Sequence, residues 1–311
     1  MDRLRLDEAL QRANVPVRLT AGWQDLFLDQ TLHQYQSLRA RGVDVSLIVG
    51  PWTHNELALK GMGHLLRGSL EWLETHLADE APAQPRSIPP VEVYVTGQGA
   101  WRHLAEWPPA AGETVHYLQL GGRLLIDEPS GGAPSTYVYD PANPTPTLGG
   151  LLLSLDSGSK DNAKLESRSD VLTFTTDPLT ALLEIMGTPV VELAHTRSNP
   201  HADVFVRLCD VDSKGVSRNF TEGFLRLDPT LPLNQVRTVR VRLDACAHQV
   251  KADHRIRLLI AGGSQPRYAR NEGTGELPGT GSELRPCTHT IHHDAGSLSR
   301  VILPTPSAYH E

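Results

Sequence analysis

Cysteine is scarce in this chain: its 311 residues include three, Cys209, Cys246 and Cys287, odd in number and far apart. That excludes a disulfide framework and a CxxC metal or redox site, and makes buried, inert thiols the expectation. No stretch comes near the ~18 consecutive apolar residues that a membrane span needs. The first residues, Met1-Asp2-Arg3-Leu4-Arg5, are charged where a secretory signal would turn apolar. No basic block occurs either, and 36 acidic side chains outnumber 29 basic ones. Nucleic acid and an anionic membrane surface are therefore not expected as partners. A soluble, cytoplasmic protein is the expectation.

Glycine (26) and proline (23) are frequent enough to imply many turns and a β-rich architecture. All five tryptophans, Trp23, Trp52, Trp72, Trp101 and Trp107, fall in the first 107 residues, which marks a change of composition along the chain. At the front, Leu28, Leu32, Tyr35 and Leu38 fall on one helical face, and Gly42 stands where a C-terminal cap is expected. Short β-branched runs, Val15–Ala21 and Val43–Val49, flank that helix. Strand, helix, strand with such a crossover predicts a right-handed βαβ unit in a parallel sheet. A second helix carries Leu66, Leu70, Leu73 and Leu77 on one stripe. Two strands make too small a parallel sheet, so residues 1–80 read as the end of an α/β domain.

After the Pro-rich stretch 81–90, read as a linker, the pattern becomes short alternating runs such as Val91–Val95, Val115–Leu118, Val204–Leu208 and Ile256–Ile260. These predict an antiparallel, jelly-roll-like β-sandwich over 91–311, in which Gly149–Lys164 is a long surface loop.

Two groups sit just beyond predicted strand ends, where open α/β sheets expose functional side chains. Asp25 closes Gly22-Trp23-Gln24-Asp25, and His54 closes Gly50-Pro51-Trp52-Thr53-His54. An acid followed by a histidine, with one βα unit between them, suits the last two members of the chain order Ser, acid, His. The same residues also fit a helix-capping aspartate and a solvated loop histidine, and spacing alone leaves both readings open.

The stretches Val15–Phe27 and Ile48–His54, together with Tyr137–Gly150, Leu172–Leu179, Arg207–Asp212 and Ser264–Asn271, resemble the CocE/NonD hydrolases, the cocaine-esterase and X-Pro dipeptidyl-peptidase family. The resemblance covers nearly the whole chain but only the C-terminal portion of a family member. It implies the end of an α/β-hydrolase domain followed by a jelly-roll, galactose-binding-like C-terminal domain. It further implies a serine hydrolase acting on small esters, amides or X-Pro peptides, with Asp25 as the triad acid and His54 as the base.

The departure from the family lies in the nucleophile. Gly-x-Ser-x-Gly occurs nowhere, and the nearest strings, around Ser264 and Ser282, lie after the histidine and outside a strand–turn–helix setting. The chain alone is therefore expected to be inactive, because the pair has no hydroxyl to activate. Two other functions stay open: a non-catalytic binding module, with Trp101 or Trp107 as a sugar platform, and one half of a split enzyme completed by an upstream polypeptide. No cofactor is expected. His289 and His292 point to opposite faces of a strand, which disfavours a shared metal, and Asp210-Val211-Asp212 reads as a hairpin turn. Unpaired front strands predict an exposed sheet edge and an uncovered apolar helix face, and with them self-association.

Overall fold

A computed structural model describes residues 7–78, 88–277 and 279–306. The front of the chain forms α1 (Asp7–Arg12), β1 (Val17–Gln24), α2 (Leu28–Ala40), β2 (Val45–Thr53), α3 (His54–Leu59), α4 (Met62–Leu77), β3 (Val91–Val95) and β4 (Ala100–Leu104). β1 and β2 are parallel, with Val17 opposite Val45 and Ala21 opposite Val49. α2 crosses over between them, and Leu28, Leu32, Tyr35 and Leu38 are all buried on the sheet, as their spacing requires. Its end is a Schellman motif: Gly42 at φ 76° donates its N–H to the Arg39 carbonyl, and Val43 donates to Leu38.

The boundary expected at residue 91 is not where the sheets divide. Val91–Val95 continues the front sheet, parallel to β2, with Leu47 opposite Val91 and Val49 opposite Val93. β4 then adds antiparallel to β3, giving the order β1-β2-β3-β4. Alternating Val, Glu, Val, Tyr, Val suits either environment, and β2 offered an edge to be covered. Most of the expected linker, 79–87, lies outside the described residues.

The rest is almost all β: β5 (Ala111–Gln119), β6 (Arg123–Leu125), β7 (Ser135–Tyr139), the short α5 (Ala163–Glu166), β8 (Val171–Thr175), β9 (Leu183–Gly187), β10 (Val190–Arg197), β11 (Asp203–Val211), β12 (Ser217–Arg226), β13 (Arg237–Arg242), β14 (Cys246–Val250), β15 (Arg255–Ala261), β16 (Cys287–His292) and β17 (Arg300–Pro306). An eleven-stranded sheet runs β12-β11-β15-β8-β6-β5-β17-β10-β16-β7, with β13 also paired to β10. Its apolar residues form a core around Leu118, Phe174, Val206 and Leu258. β9 and β14 form a separate pair. They join the two parts: Met186 and Ala247 enter the front core, and Thr96, just past β3, exchanges backbone hydrogen bonds with Ala247 and Gln249.

Two faces depart from the simple amphipathic picture. On α4 the buried residues are Gly68 and Trp72, whereas Leu66, Leu70, Leu73 and Leu77 are 55%, 60%, 49% and 73% exposed, so the apolar stripe faces outward. β1 lies at an edge of its sheet. The uncovered apolar face that the sequence implied is thus present. Among the described residues no helix is long and apolar enough to cross a membrane.

Candidate active site

The site begins with a bulge. Pairing of β1 with β2 slips between Gly22 and Gln24, and a side chain at Gly22 would lie 2.0 Å from the Trp52 carbonyl oxygen. Glycine there lets the two strand ends close together, and the bulge turns the chain into α2 with Asp25 at the corner. Asp25 is buried; its Oδ1 accepts the Phe27 backbone N–H at 2.9 Å.

On the neighbouring strand Thr53 caps α3 in a capping box, accepting the Glu56 N–H while Glu56 Oε2 accepts the Thr53 N–H at 3.1 Å. Burial works to raise the Glu56 carboxyl, and hydrogen bonds from Lys60 and Thr53 overcome it and hold it below its ordinary value. This cap fixes His54 as the first helical residue. His54 Nδ1 lies 3.1 Å from Asp25 Oδ1, and the Phe27 ring meets the imidazole edge-on at 5.3 Å. The carboxylate side chain is 4% exposed and the imidazole 38%. With Nδ1 turned to the buried carboxylate, Nε2 is the ring nitrogen left for another partner. Among the described residues no serine hydroxyl is hydrogen-bonded to this imidazole. Ser264 is buried and paired with the Thr147 hydroxyl at 3.0 Å, in the loop after β15.

The stretch expected as a surface loop is anchored at its neck. Gly150 and Gly158 exchange backbone hydrogen bonds of 2.8 and 3.0 Å, and Gly158 lies against Thr53 and Gln24 beside the pair. Arg207, fully buried, holds the neck through the Leu148 carbonyl and Asn162 Oδ1, and pairs with Glu222. Buried polar partners, spread along the sequence from Leu148 to Glu222, are what the local Gly and Ser pattern could not reveal. The tip remains exposed, with Leu155 92% accessible.

Next to Gln24 and Thr53 lies a cavity of 380 Å³. Its β-domain wall holds a cluster that sequence spacing did not suggest. Asp210 accepts from His254 Nδ1 at 2.7 Å and pairs with His248 Nε2 at 3.2 Å. Burial would raise the Asp210 carboxyl, but the two imidazoles outweigh it and keep it below its usual range. Asp212 does close the β11–β12 turn, accepting from Lys214 and Val216.

Of the two tryptophans read as a sugar platform, Trp107 is buried and Trp101 is partly exposed. Trp107 is buried against Trp23 with ring centroids 5.1 Å apart, and Trp101 stacks on His64 at 4.3 Å. His289 and His292 alternate faces on β16, and His289 is buried against His195 and Tyr137. All three cysteines are free and buried, and burial pushes the Cys209 thiol up to about 12.

Comparison with known proteins gives two family matches: the X-Pro dipeptidyl-peptidase C-terminal non-catalytic domain over residues 86–302, and the X-Pro dipeptidyl-peptidase S15 family over residues 1–56. Cocaine esterase of Rhodococcus sp. (strain MB1 Bresler) is 29% identical over 97% of this chain and 58% of its own length. Among solved structures, an alpha-amino acid ester hydrolase superposes with a TM-score of 0.87 at 25% identity, covering 96% of this chain and 57% of that one. A CocE/NonD family hydrolase from Staphylococcus aureus superposes at 0.70 with 14% identity, covering 95% and 55%. The chain spans little more than half the length of these proteins.

Proposed function

The chain belongs to the CocE/NonD and X-Pro dipeptidyl-peptidase hydrolase family, and we propose that Asp25 and His54 are the acid and the base of its Ser-His-Asp mechanism, acting on a small ester, an amide or an X-Pro peptide. The observation that carries this reading is the 3.1 Å contact between a buried carboxylate and a half-exposed imidazole at adjacent parallel strand ends. A positioned imidazole takes the proton of an attacking serine hydroxyl, and its acid partner stabilises the imidazolium that results. Transfer of that proton to the leaving group and attack of water on the acyl-enzyme complete the cycle.

The nucleophile and the oxyanion donors are carried by polypeptide outside these 311 residues, and the chain alone is inactive. The neck at Gly158 lies against Gln24 and Thr53, the residues that precede Asp25 and His54 in the chain, so such a polypeptide and its substrate would meet this one close to that neck. Co-expression with the polypeptide encoded directly upstream tests this. Hydrolysis of p-nitrophenyl acetate should require both pieces and fall by about 10³-fold or more in His54→Ala, the scale of removing a triad base. Labelling of the isolated chain by a fluorophosphonate, lost in His54→Ala, would refute the missing nucleophile. Equal activity of the assembled His54→Ala variant would refute the assignment of the base.

A further inference from the structure

The two faces of α4 are used differently. Its inner face is closed: Trp72 is buried, and Gly68 packs so tightly on the Arg18 guanidinium that a methyl there would come within 2.3 Å of Nη2. Its outer face carries the exposed Leu66, Leu70, Leu73 and Leu77. Spacings of four, three and four residues are those of a heptad seam, the pattern by which one helix packs along another. In this chain the seam points away from the sheet, so the helix it suits belongs to another molecule.

The charges beside the seam say which helix fits. With the leucines at the a and d positions, Arg67 and Glu74 both fall at e, next to the seam. Both are exposed, and neither has an ion-pair partner among the described residues. Two turns apart, they stand about 10 Å from each other along the axis and do not face one another. The two histidines of α4 are engaged inside the chain, His64 with Glu92 and His76 with Asp44, and Glu71 acts on Arg18.

A second α4 laid antiparallel on the first answers this pattern at every position. Leu66 then meets the partner's Leu77, Leu70 meets the partner's Leu73, and e faces e, so Arg67 meets the partner's Glu74. A parallel pair would instead set Arg67 beside the partner's Met62 and Glu74 beside the partner's Ser69, and both charges would stay unpaired. The ends match as well. A groove of 570 Å³ between the C-terminal half of α4 and the start of β1 is lined by Leu73, Leu77, Pro16 and Val15, the last 65% exposed. In the antiparallel arrangement the exposed Met62 and Leu66 of one copy reach that groove on the other.

We propose that α4 is a dimerisation helix: two copies of this chain associate across a two-fold axis through an antiparallel α4 pair, closing the leucine seam and crossing Arg67 with the partner's Glu74. One two-fold operation makes each of these contacts twice. So small a contact is reversible, and association is expected over about 1–100 µM. It involves neither Asp25 nor His54 and does not rest on the hydrolytic reading.

Sedimentation velocity of the full chain over that range tests the proposal. The chain should pass from one copy towards two and no further, because a two-fold contact closes on itself. Arg67→Glu and Glu74→Arg should each weaken association about tenfold or more, since each sets like charges against each other twice. Both positions are exposed, so neither change touches the buried face of α4. An equimolar mixture of the two variants should regain association as a mixed dimer, in which every crossed pair is of opposite sign, and the double variant should regain it too. A parent that stays monomeric, growth beyond two copies, single variants that associate like the parent, or a mixture no stronger than either variant alone overturns the antiparallel pair. The competing occupant is the upstream polypeptide of the proposed enzyme. A co-expressed complex that holds one copy of each polypeptide overturns the dimer, and one that holds two copies of each and halves on Arg67→Glu supports it.

Discussion

Arg207 and Glu222 face each other across β11 and β12 with Nε 3.1 Å from Oε2, and their side chains are 0% and 1% exposed. The same guanidinium reaches the Leu148 carbonyl and Asn162, so one ion pair inside the β domain sets the neck of the loop that lies against Thr53 and Gln24. Removing one partner leaves a buried charge. Glu222→Gln should cost about 3–5 kcal/mol in urea unfolding. The double variant Arg207→Met with Glu222→Leu should lose less than the sum of the singles; additive losses would mean that the two residues do not act as a pair.

Asp25 also has a structural task, since it accepts from the Phe27 backbone as well as facing His54. Asp25→Ala should destabilise the chain by about 1–3 kcal/mol, the cost of leaving buried donors unsatisfied. A denaturation midpoint equal to that of the unaltered chain would show that the corner holds its shape without the carboxylate.

The bulge gives another handle on the site. A methyl at Gly22 would meet the Trp52 carbonyl carbon at 2.6 Å, so the backbone of β2 must move. Gly22→Ala should cost about 1–3 kcal/mol, in the range of core overpacking. It should also widen the Asp25–His54 contact, which the imidazole Nδ1 proton signal in NMR reports. A variant as stable as the parent, with that signal unshifted, would contradict the close approach.

Stability should respond to pH in two opposing ways. Burial, and then Arg197, pushes His195 down to about 4, and burial holds His289 well below its ordinary value. With folded values under the unfolded ~6.5, the unfolded state binds more protons, so this contribution is lost as pH falls from about 6.5 through 4. Asp244 runs the other way. Burial, and then the nearby Glu222, push its folded value up to about 7, above the unfolded ~3.9, so the folded state binds the extra proton and stability falls as pH rises from about 4 to 7, then levels. Asp244→Asn should therefore gain on the parent by about 1 kcal/mol per pH unit at most between pH 5 and 7. Parallel stability curves over that range would disprove the shift.

The outward leucines of α4 and the open edge of β1 form one uncovered region of the front. Concentration-dependent association should appear in sedimentation velocity, and Leu70→Glu with Leu73→Glu should shift the chain towards monomer. A parent chain that sediments as a single monomeric species at all concentrations would count against association through this face.

The order β1, α2, β2, the buried face of α2 and its Gly42 end were legible because each is a local signal, in apolar spacing or in a terminating residue. The positions of Asp25 and His54 beyond strand ends followed from the same local pattern. Other decisions belonged to the tertiary structure. Val91–Val95 reads as a half-buried strand anywhere, and only the available edge of β2 assigned it to the front sheet. The leucine stripe of α4 named an apolar face without saying that Trp72 and Gly68 would be the buried ones. Gly149–Lys164 looks like a loop because the residues that bury its neck, Arg207, Glu222 and Asn219, are far away in sequence. Spacing along a chain encodes which neighbours share a face. Which distant surfaces meet is settled by burying them together, and the Asp210–His248–His254 cluster exists only through such a meeting.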